Sequence, residues 1–332
     1  MRPWGQVSIP LLDRKGVEQF VYFLIPIEIL FTLCFLHVQQ ESMYAHLVQS
    51  GIIFALLSLL FAGVNDVIFK KYSNKDRSKG MYVFGIGIIW TFLQIIVFNI
   101  QDISFSYDFI SISYGLTAGL LLTASNILLL ESLTHIDVSL GSTIYRLNTI
   151  GVVILSFFVL HEPLGTFKSV GIICGLIAVL LLFNKGKTTY QHINFTTFFF
   201  IAVAASLIRA SYGIITKMGI SSNAEPNIML LLISISWIIG GAFYAKLRER
   251  RFIITKKMIS YSVVSGVLVF LIVNCLMLAL VHGQASIVIP IANMSFVFAL
   301  LISIILKMEL LTFKKCCAVC FAVISVILLA KV

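Results

Sequence analysis

Ile-Ser-Tyr-Gly-Leu-Thr-Ala-Gly at residues 112–119 is met again 147 residues later as Ile-Ser-Tyr-Ser-Val-Val-Ser-Gly at 259–266. Worked outward at this one shift, the two halves of the chain align without a gap. Trp90 falls on Trp237, His135 on His282 and Glu162 on Glu309. Lys70 falls on Lys217, and Lys168 on Lys315. Matched leucines mean little in so apolar a sequence. Tryptophan, histidine and charged residues coinciding at one shift mark an internal repeat.

The composition says what the repeat is made of. Of 332 residues, 59% are hydrophobic and 11% charged, with a mean hydropathy of +1.03. A soluble domain is about half apolar and about a quarter charged. This chain lacks the polar surface to face water, which excludes a soluble globular enzyme, and its wealth of Ile, Leu, Val and Phe excludes disorder. Its apolar runs are continuous and about 18 to 22 residues long, the length of a helix across roughly 30 Å of hydrocarbon. An outer-membrane barrel, with its short alternating strands, does not fit.

Ten strong spans result. The first five cover 50–70, 81–100, 110–132, 138–160 and 166–183, and the second five cover 196–217, 227–246, 258–280, 285–306 and 314–331. The repeat units are therefore residues 49–185 and 196–332, five helices each. A unit with an odd number of spans enters on one side and leaves on the other, so the second unit is inserted upside down. The expected fold is an all-α polytopic membrane protein: ten core transmembrane helices in two inverted-topology five-helix repeats. Such repeats are a mark of secondary transporters, whose substrate sits near the midplane between the halves.

Residues 1–48 form an N-terminal extension. Within it, 17–38 is apolar enough for a helix yet carries Glu18, Pro26, Glu28 and His37. Two readings stand: an additional transmembrane helix, or an upstream extension of a chain whose functional start is Met43. Arg2, Arg14 and Lys15 precede it as in a signal sequence, but no small-x-small cleavage site follows.

The net charge of +10 points to orientation in a membrane rather than to nucleic acid, because the basic residues crowd short gaps between spans. Lys70, Lys71, Lys75, Arg77 and Lys79 fill one gap; Lys246, Arg248, Arg250, Arg251, Lys256 and Lys257 fill another. By the positive-inside rule these gaps are cytoplasmic. The first core span and the C-terminus then face outside, and a helix at 17–38 would return the N-terminus to the cytoplasm. The six cysteines lie in or beside apolar runs and form neither a disulfide framework nor a metal set; no cofactor is expected. No phosphate-binding Gly-rich loop and no soluble domain is present.

The fourth span of each unit closes on an acidic residue, Phe-Val-Leu-His161-Glu162-Pro-Leu and Leu-Lys-Met-Glu309-Leu-Leu, and an apolar fifth span follows. With the repeat period and helix count, these elements resemble the drug/metabolite transporter superfamily, in its ten-helix branch with two EamA-type repeats. The resemblance covers about 50–332. It implies transport across the inner (plasma) membrane by a multi-pass protein, without naming a substrate. The family's usual arrangement has both ends inside, from which the charge pattern of the core departs.

Ionisable groups inside spans are costly and tend to face a partner or a cavity. Arg146 in the fourth span and Arg209 in the sixth are the leading candidates for substrate contact. Neither has an arginine at the equivalent position, where Asn293 and Ala62 stand. Their planar forks suit a carboxylate or phosphate. The structural alternative is that Arg146 pairs with Glu131, or Arg209 with Asp66; Asp66 and Glu131 are the coupling or ion-pairing candidates. Asn65, Asn126, Asn148, Asn274 and Asn293 complete the polar set, as substrate ligands or as links between helices. Their helices are those that line the central cavity in the family this chain resembles. Pro290 frees a backbone carbonyl and is a candidate hinge. Trp90 and Trp237 read as packing or gating residues. Glu162 reads as an interfacial cap paired with Lys168, and Gly171 with Gly175 as a face for close helix approach, within the bundle or in a homodimer.

The reading is a secondary transporter moving a small polar or anionic metabolite by alternating access, with the bilayer and a small-molecule substrate as partners. Its rivals are an exporter of neutral or zwitterionic amino acids with structural arginines, and a non-transporting membrane scaffold.

Overall fold

The computed structural model describes residues 44–73, 77–101, 108–132, 144–181, 195–250, 254–305 and 312–331. The candidate helix at 17–38, His135 and Glu309 lie outside them. Every regular element among the described residues is helical. The first unit contributes α1 (Tyr44–Ser73), α2 (Lys79–Ile100), α3 (Phe109–Ser132), α4 (Asn148–Val159, preceded by a helical turn at 144–146) and α5 (Thr166–Leu181). The second contributes α6 (Phe195–Ser221), α7 (Pro226–Tyr244, prolonged by a π-helical turn Ala245–Glu249), α8 (Lys256–His282), α9 (Ala285–Asn293), α10 (Ser295–Ile305) and α11 (Phe313–Ala330). Among the described residues seven stretches are long and apolar enough to cross a membrane, and Ile144–Val159 and Thr166–Leu181 are shorter apolar helices. Phe92, Leu120, Phe158, Phe200 and Ile239 are all more than 60% exposed, apolar surface that only lipid satisfies.

Helix starts follow local chemistry. Asp108 accepts the Ser111 amide at 3.0 Å and its hydroxyl at 2.7 Å, beginning α3. At the equivalent place in the second unit, Thr255 accepts the Met258 amide at 3.1 Å and begins α8. Both are N-cap bonds that satisfy otherwise orphaned amides. The start of α2 is doubly capped. Ser78 accepts the Met81 amide, and Glu249, from the π-turn after α7, accepts the Lys79 and Gly80 amides at 2.6 and 3.2 Å.

Inverted topology is legible in the contacts themselves. Along α2 and α7, which are equivalent helices, partners run in opposite order. Gly80 meets Ala245, Phe84 meets Gly241, Gly87 meets Ile238, and Thr91 bonds Ser234. Trp90 meets its own equivalent Trp237 edge-on, ring centroids 5.9 Å apart. Two equivalent helices packed antiparallel require a pseudo-two-fold axis across them, in the plane of the membrane. The same operation relates α2 beside α8 (Gly85 with Ser262, Ile89 with Gly266) to α7 beside α3 (Gly115 with Met229, Gly240 with Thr123). It also relates Ser58, which donates to the Ile272 carbonyl, to the bond from Ser125 to the Ala205 carbonyl.

The core is shared by both units. Phe54, Val152, Ile172, Ala210, Leu280, Ile289 and Leu329 form one buried cluster. Gly171 and Gly175 of α5 face Leu329 and Ser325 of α11, and Ser325 donates to the Gly171 carbonyl at 2.6 Å. That glycine face is used inside the bundle.

Candidate polar site at the helix breaks

The fourth and ninth spans are not the continuous helices their hydropathy predicts. Each is interrupted at the same repeat position. Leu147 donates to the Ile144 carbonyl and Ile150 to the Leu147 carbonyl, at 3.1 and 3.0 Å. Met294 donates to the Ile291 carbonyl and Val297 to the Met294 carbonyl, both at 3.0 Å. These tightened i to i+3 turns interrupt the α-helical ladder at both positions. Pro290 lies buried inside α9, four residues before the break at Met294.

The residues flanking the two breaks meet across the pseudo-two-fold axis. Arg146 donates through Nη1 to the Asn293 carbonyl and to the Ser295 hydroxyl, both at 3.0 Å. Its Nη2 lies 2.5 Å from Asp66 Oδ2 of α1, an ion pair whose side chains are 19% and 38% exposed. Ser295 donates to the same carboxylate oxygen at 3.1 Å. Asn293 gives its amide to Asn148 Oδ1 at 2.7 Å and to Thr149 Oγ1 at 3.1 Å. The Arg146 guanidinium also stands over the Phe296 ring at 5.2 Å. Gly63 lets α1 come this close, because a Cβ there would lie 2.9 Å from the Ser295 carbonyl oxygen.

Four of the expected site residues, Arg146, Asp66, Asn148 and Asn293, are thus brought together. Asn65, adjacent to Asp66, has a buried Oδ1 with no hydrogen-bond partner among the described residues. Arg209 lies over the Tyr212 ring at 5.2 Å and has no carboxylate partner among the described residues. Asn126 bonds back to the Leu122 carbonyl on its own helix. Asn274 bonds the Phe270 carbonyl and reaches Gln94 Oε1 at 3.1 Å, linking α8 to α2.

Asp66 and Glu131 are both ion-paired, with partners other than those of the structural alternative. Arg146 takes Asp66, not Glu131. Glu131 sits at the far end of α3, where it accepts Tyr244 Oη at 2.6 Å and Arg248 Nε and Nη2 at 2.9 and 2.6 Å. Ser295 and Thr149, which finish the hydrogen bonding at the breaks, were missed. The available signal was the recurrence of polar residues on both sides of positions 147 and 294 within otherwise apolar runs.

Residues 49–184 and 196–331 each match the family described as the EamA-like transporter family. A Haemophilus influenzae protein described as an uncharacterized transporter is 26% identical over 112 residues, 33% of this chain and 37% of that protein. The match spans little more than a third of that relative's length. A solved structure described only as a crystal structure of protein has a TM-score of 0.72 at 12% identity, over 86% of this chain and 96% of that one. At that identity the likeness is one of fold.

Proposed function

The chain belongs to the EamA-like transporter family, and on that premise we propose that it is a secondary transporter moving a small zwitterionic metabolite of amino-acid type by alternating access across the inner (plasma) membrane. The observation that carries this reading is the partly exposed Asp66–Arg146 pair where the two broken helices cross. A guanidinium and a carboxylate side by side form a dipole. A ligand with a carboxylate and an ammonium group matches it by exchanging partners, its carboxylate to Arg146 and its ammonium to Asp66. A dianion would meet the already neutralised Arg146 with Asp66 still beside it. Asn293, Asn148 and Asn65 supply neutral hydrogen bonds around the pair. Asp66, once released from Arg146, is the group placed to exchange a proton with the substrate's movement. Glu131, held by Tyr244 and Arg248 at one end of the bundle, serves as an ion pair.

A second reading is supported by Arg209, whose guanidinium meets an aromatic face and no carboxylate among the described residues. If that cation binds the substrate, an anionic metabolite is favoured. A thermal-shift screen of detergent-purified protein against neutral amino acids, dicarboxylates, phosphate esters and organic cations separates the two. A ligand bound to the native state alone stabilises by about 2.7 kcal/mol at a hundredfold excess over Kd. Neutral amino acids are expected to raise the midpoint of the parent and of Arg209→Ala, but not of Asp66→Asn or Arg146→Ala. Stabilisation by anions that vanishes in Arg209→Ala and survives in Asp66→Asn would replace the first reading with the second.

A further inference from the structure

We propose that α9 is the moving part that ties the polar site to the closure of one end of the bundle, with Glu162 and Lys168 as the positioning residues that hold it shut. The inference rests on the alternating-access reading above and adds the machinery that decides which end is closed.

α9 is nine residues long, Ala285–Asn293, and buried from Ala285 to Ala292. Its C-terminal residue is the one Arg146 holds, and the break at Met294 follows at once. Its N-terminus, about 12 Å away at 1.5 Å per residue, is gripped by the other repeat. The Glu162 carboxylate accepts the Ala285 and Ser286 amides at 2.8 and 2.9 Å, and also the Ser286 hydroxyl. A carboxylate on the first amides of a helix satisfies orphaned donors and meets the positive end of the helix dipole. The Lys168 ammonium, fully buried, donates to Gln284 Oε1 at 2.6 Å and Ser286 Oγ at 2.9 Å. Its third bond, 2.8 Å to the Pro163 carbonyl, ties it to its own repeat. Glu162 and Lys168 therefore do not simply pair with one another; both are spent on the start of α9.

The local chain is arranged to aim Glu162. His161 adopts the left-handed region at φ 52°, uncommon for a residue other than glycine. The turn it makes returns the Glu162 amide to the Ser156 carbonyl at 3.2 Å. From the second repeat, Lys217 of α6 donates to the Leu280 and Gly283 carbonyls at 2.5 and 2.7 Å and finishes α8. The α8–α9 turn is thus fixed to its own repeat by Lys217 and to the opposite repeat by Glu162 and Lys168. The repeats cannot part at this end without breaking the second set. Between its two polar ends α9 packs by apolar contacts such as Ile289 against Gly213, which carry no directional bond. A ligand that takes Arg146 away from Asn293 frees one end of the same short rod whose other end is latched.

The test is a distance measurement on the whole chain. Nitroxide labels at the exposed positions Thr166 of α5 and Val281 of α8 are introduced after the six cysteines are replaced. The distance distribution is read by double electron–electron resonance in reconstituted vesicles without ligand. Glu162→Gln is expected to raise the population of the longer, open distance roughly tenfold, as loss of charge-assisted bonds implies. Ser286→Ala, which removes one small hydroxyl and keeps the fold if Glu162→Gln does not, should raise it about threefold. Arg146→Gln, at the far end of α9, should shift the same distribution in the same direction. Distributions unchanged in Glu162→Gln and Ser286→Ala would overturn the latch. A shift in those two with none in Arg146→Gln would overturn its link to the site. Because the readout needs no ligand, it fails or stands apart from the ligand screen.

Discussion

Asp66→Asn, Arg146→Gln and the double substitution separate the ion pair from the hydrogen bonds around it. An exposed ion pair contributes about 0–1 kcal/mol, whereas stripping one member from a buried pair costs about 3–5 kcal/mol. With side chains 19% and 38% exposed, this pair falls between. Asn at 66 leaves Arg146 its bonds to Asn293 and Ser295, so the single change should cost about 1–2 kcal/mol. Gln at 146 strands the Asp66 carboxylate with the Ser295 hydroxyl and removes the guanidinium from the Phe296 ring. Together these should cost about 2–4 kcal/mol. In the double variant the stranded charge is gone, so the cost should not exceed that of Arg146→Gln, which gives a coupling of about 1–2 kcal/mol. Equilibrium unfolding of the four proteins in one detergent measures the cycle. Single effects that simply add would refute the claim that the pair organises the crossing.

At the axis helices, Gly241→Ala should destabilise by about 1–3 kcal/mol in the same unfolding assay, because its Cβ would lie 2.4 Å from the Phe84 amide nitrogen, backbone that cannot yield. Glu131→Gln should cost about 1 kcal/mol, and the penalty should shrink as salt rises, since Arg248 is 61% exposed; unfolding at two ionic strengths reads this. Tyr72→Phe loses the bond from its hydroxyl to the Ser78 carbonyl. Burial pushes that phenol up from 10.0 to about 12, against the opposing Arg77. The wild type's advantage should therefore be complete below pH 10 and fade as the pH rises through about 12. Asp108→Ala should lower stability while Asp108→Asn keeps the cap. The Ser111 hydroxyl and the amides of Ser111 and Ile110 hold the Asp108 carboxyl below its ordinary 3.8, so its contribution, present above that value, should disappear as acid unfolding carries the pH down through the lowered one.

The repeat and its inversion were legible because tryptophan and charged residues coincide at one shift, and an odd span count admits one insertion. Trp90 meeting Trp237 is the same fact in space. Ion-pair partners were not legible. The sequence places residues by depth along straight helices, and the breaks at Leu147 and Met294 turn Arg146 and Ser295 towards α1 instead. No glycine or proline stands at either break to announce it. Asn126 and Asn274, read as candidate ligands, both bond the carbonyl four residues back, a choice the apolar context does not reveal. Glu162 reads as a cap beside Lys168, and the two do share Ser286, but apolar context does not reveal that the helix it caps begins 123 residues away.

The contact between Trp90 and Trp237 carries a lesson about ancestry. On a two-fold axis each residue faces its own copy, as in a homodimer of identical five-helix subunits. A cation at position 146 of such an ancestor would also stand at the place now held by Asn293, and two guanidiniums a few ångströms apart repel by about 4 kcal/mol even in a polarisable interior. Tryptophan tolerates meeting itself; arginine does not. In a single chain that constraint is absent: each side of the axis carries its own residue, Arg146 on one and its acceptor Asn293 on the other.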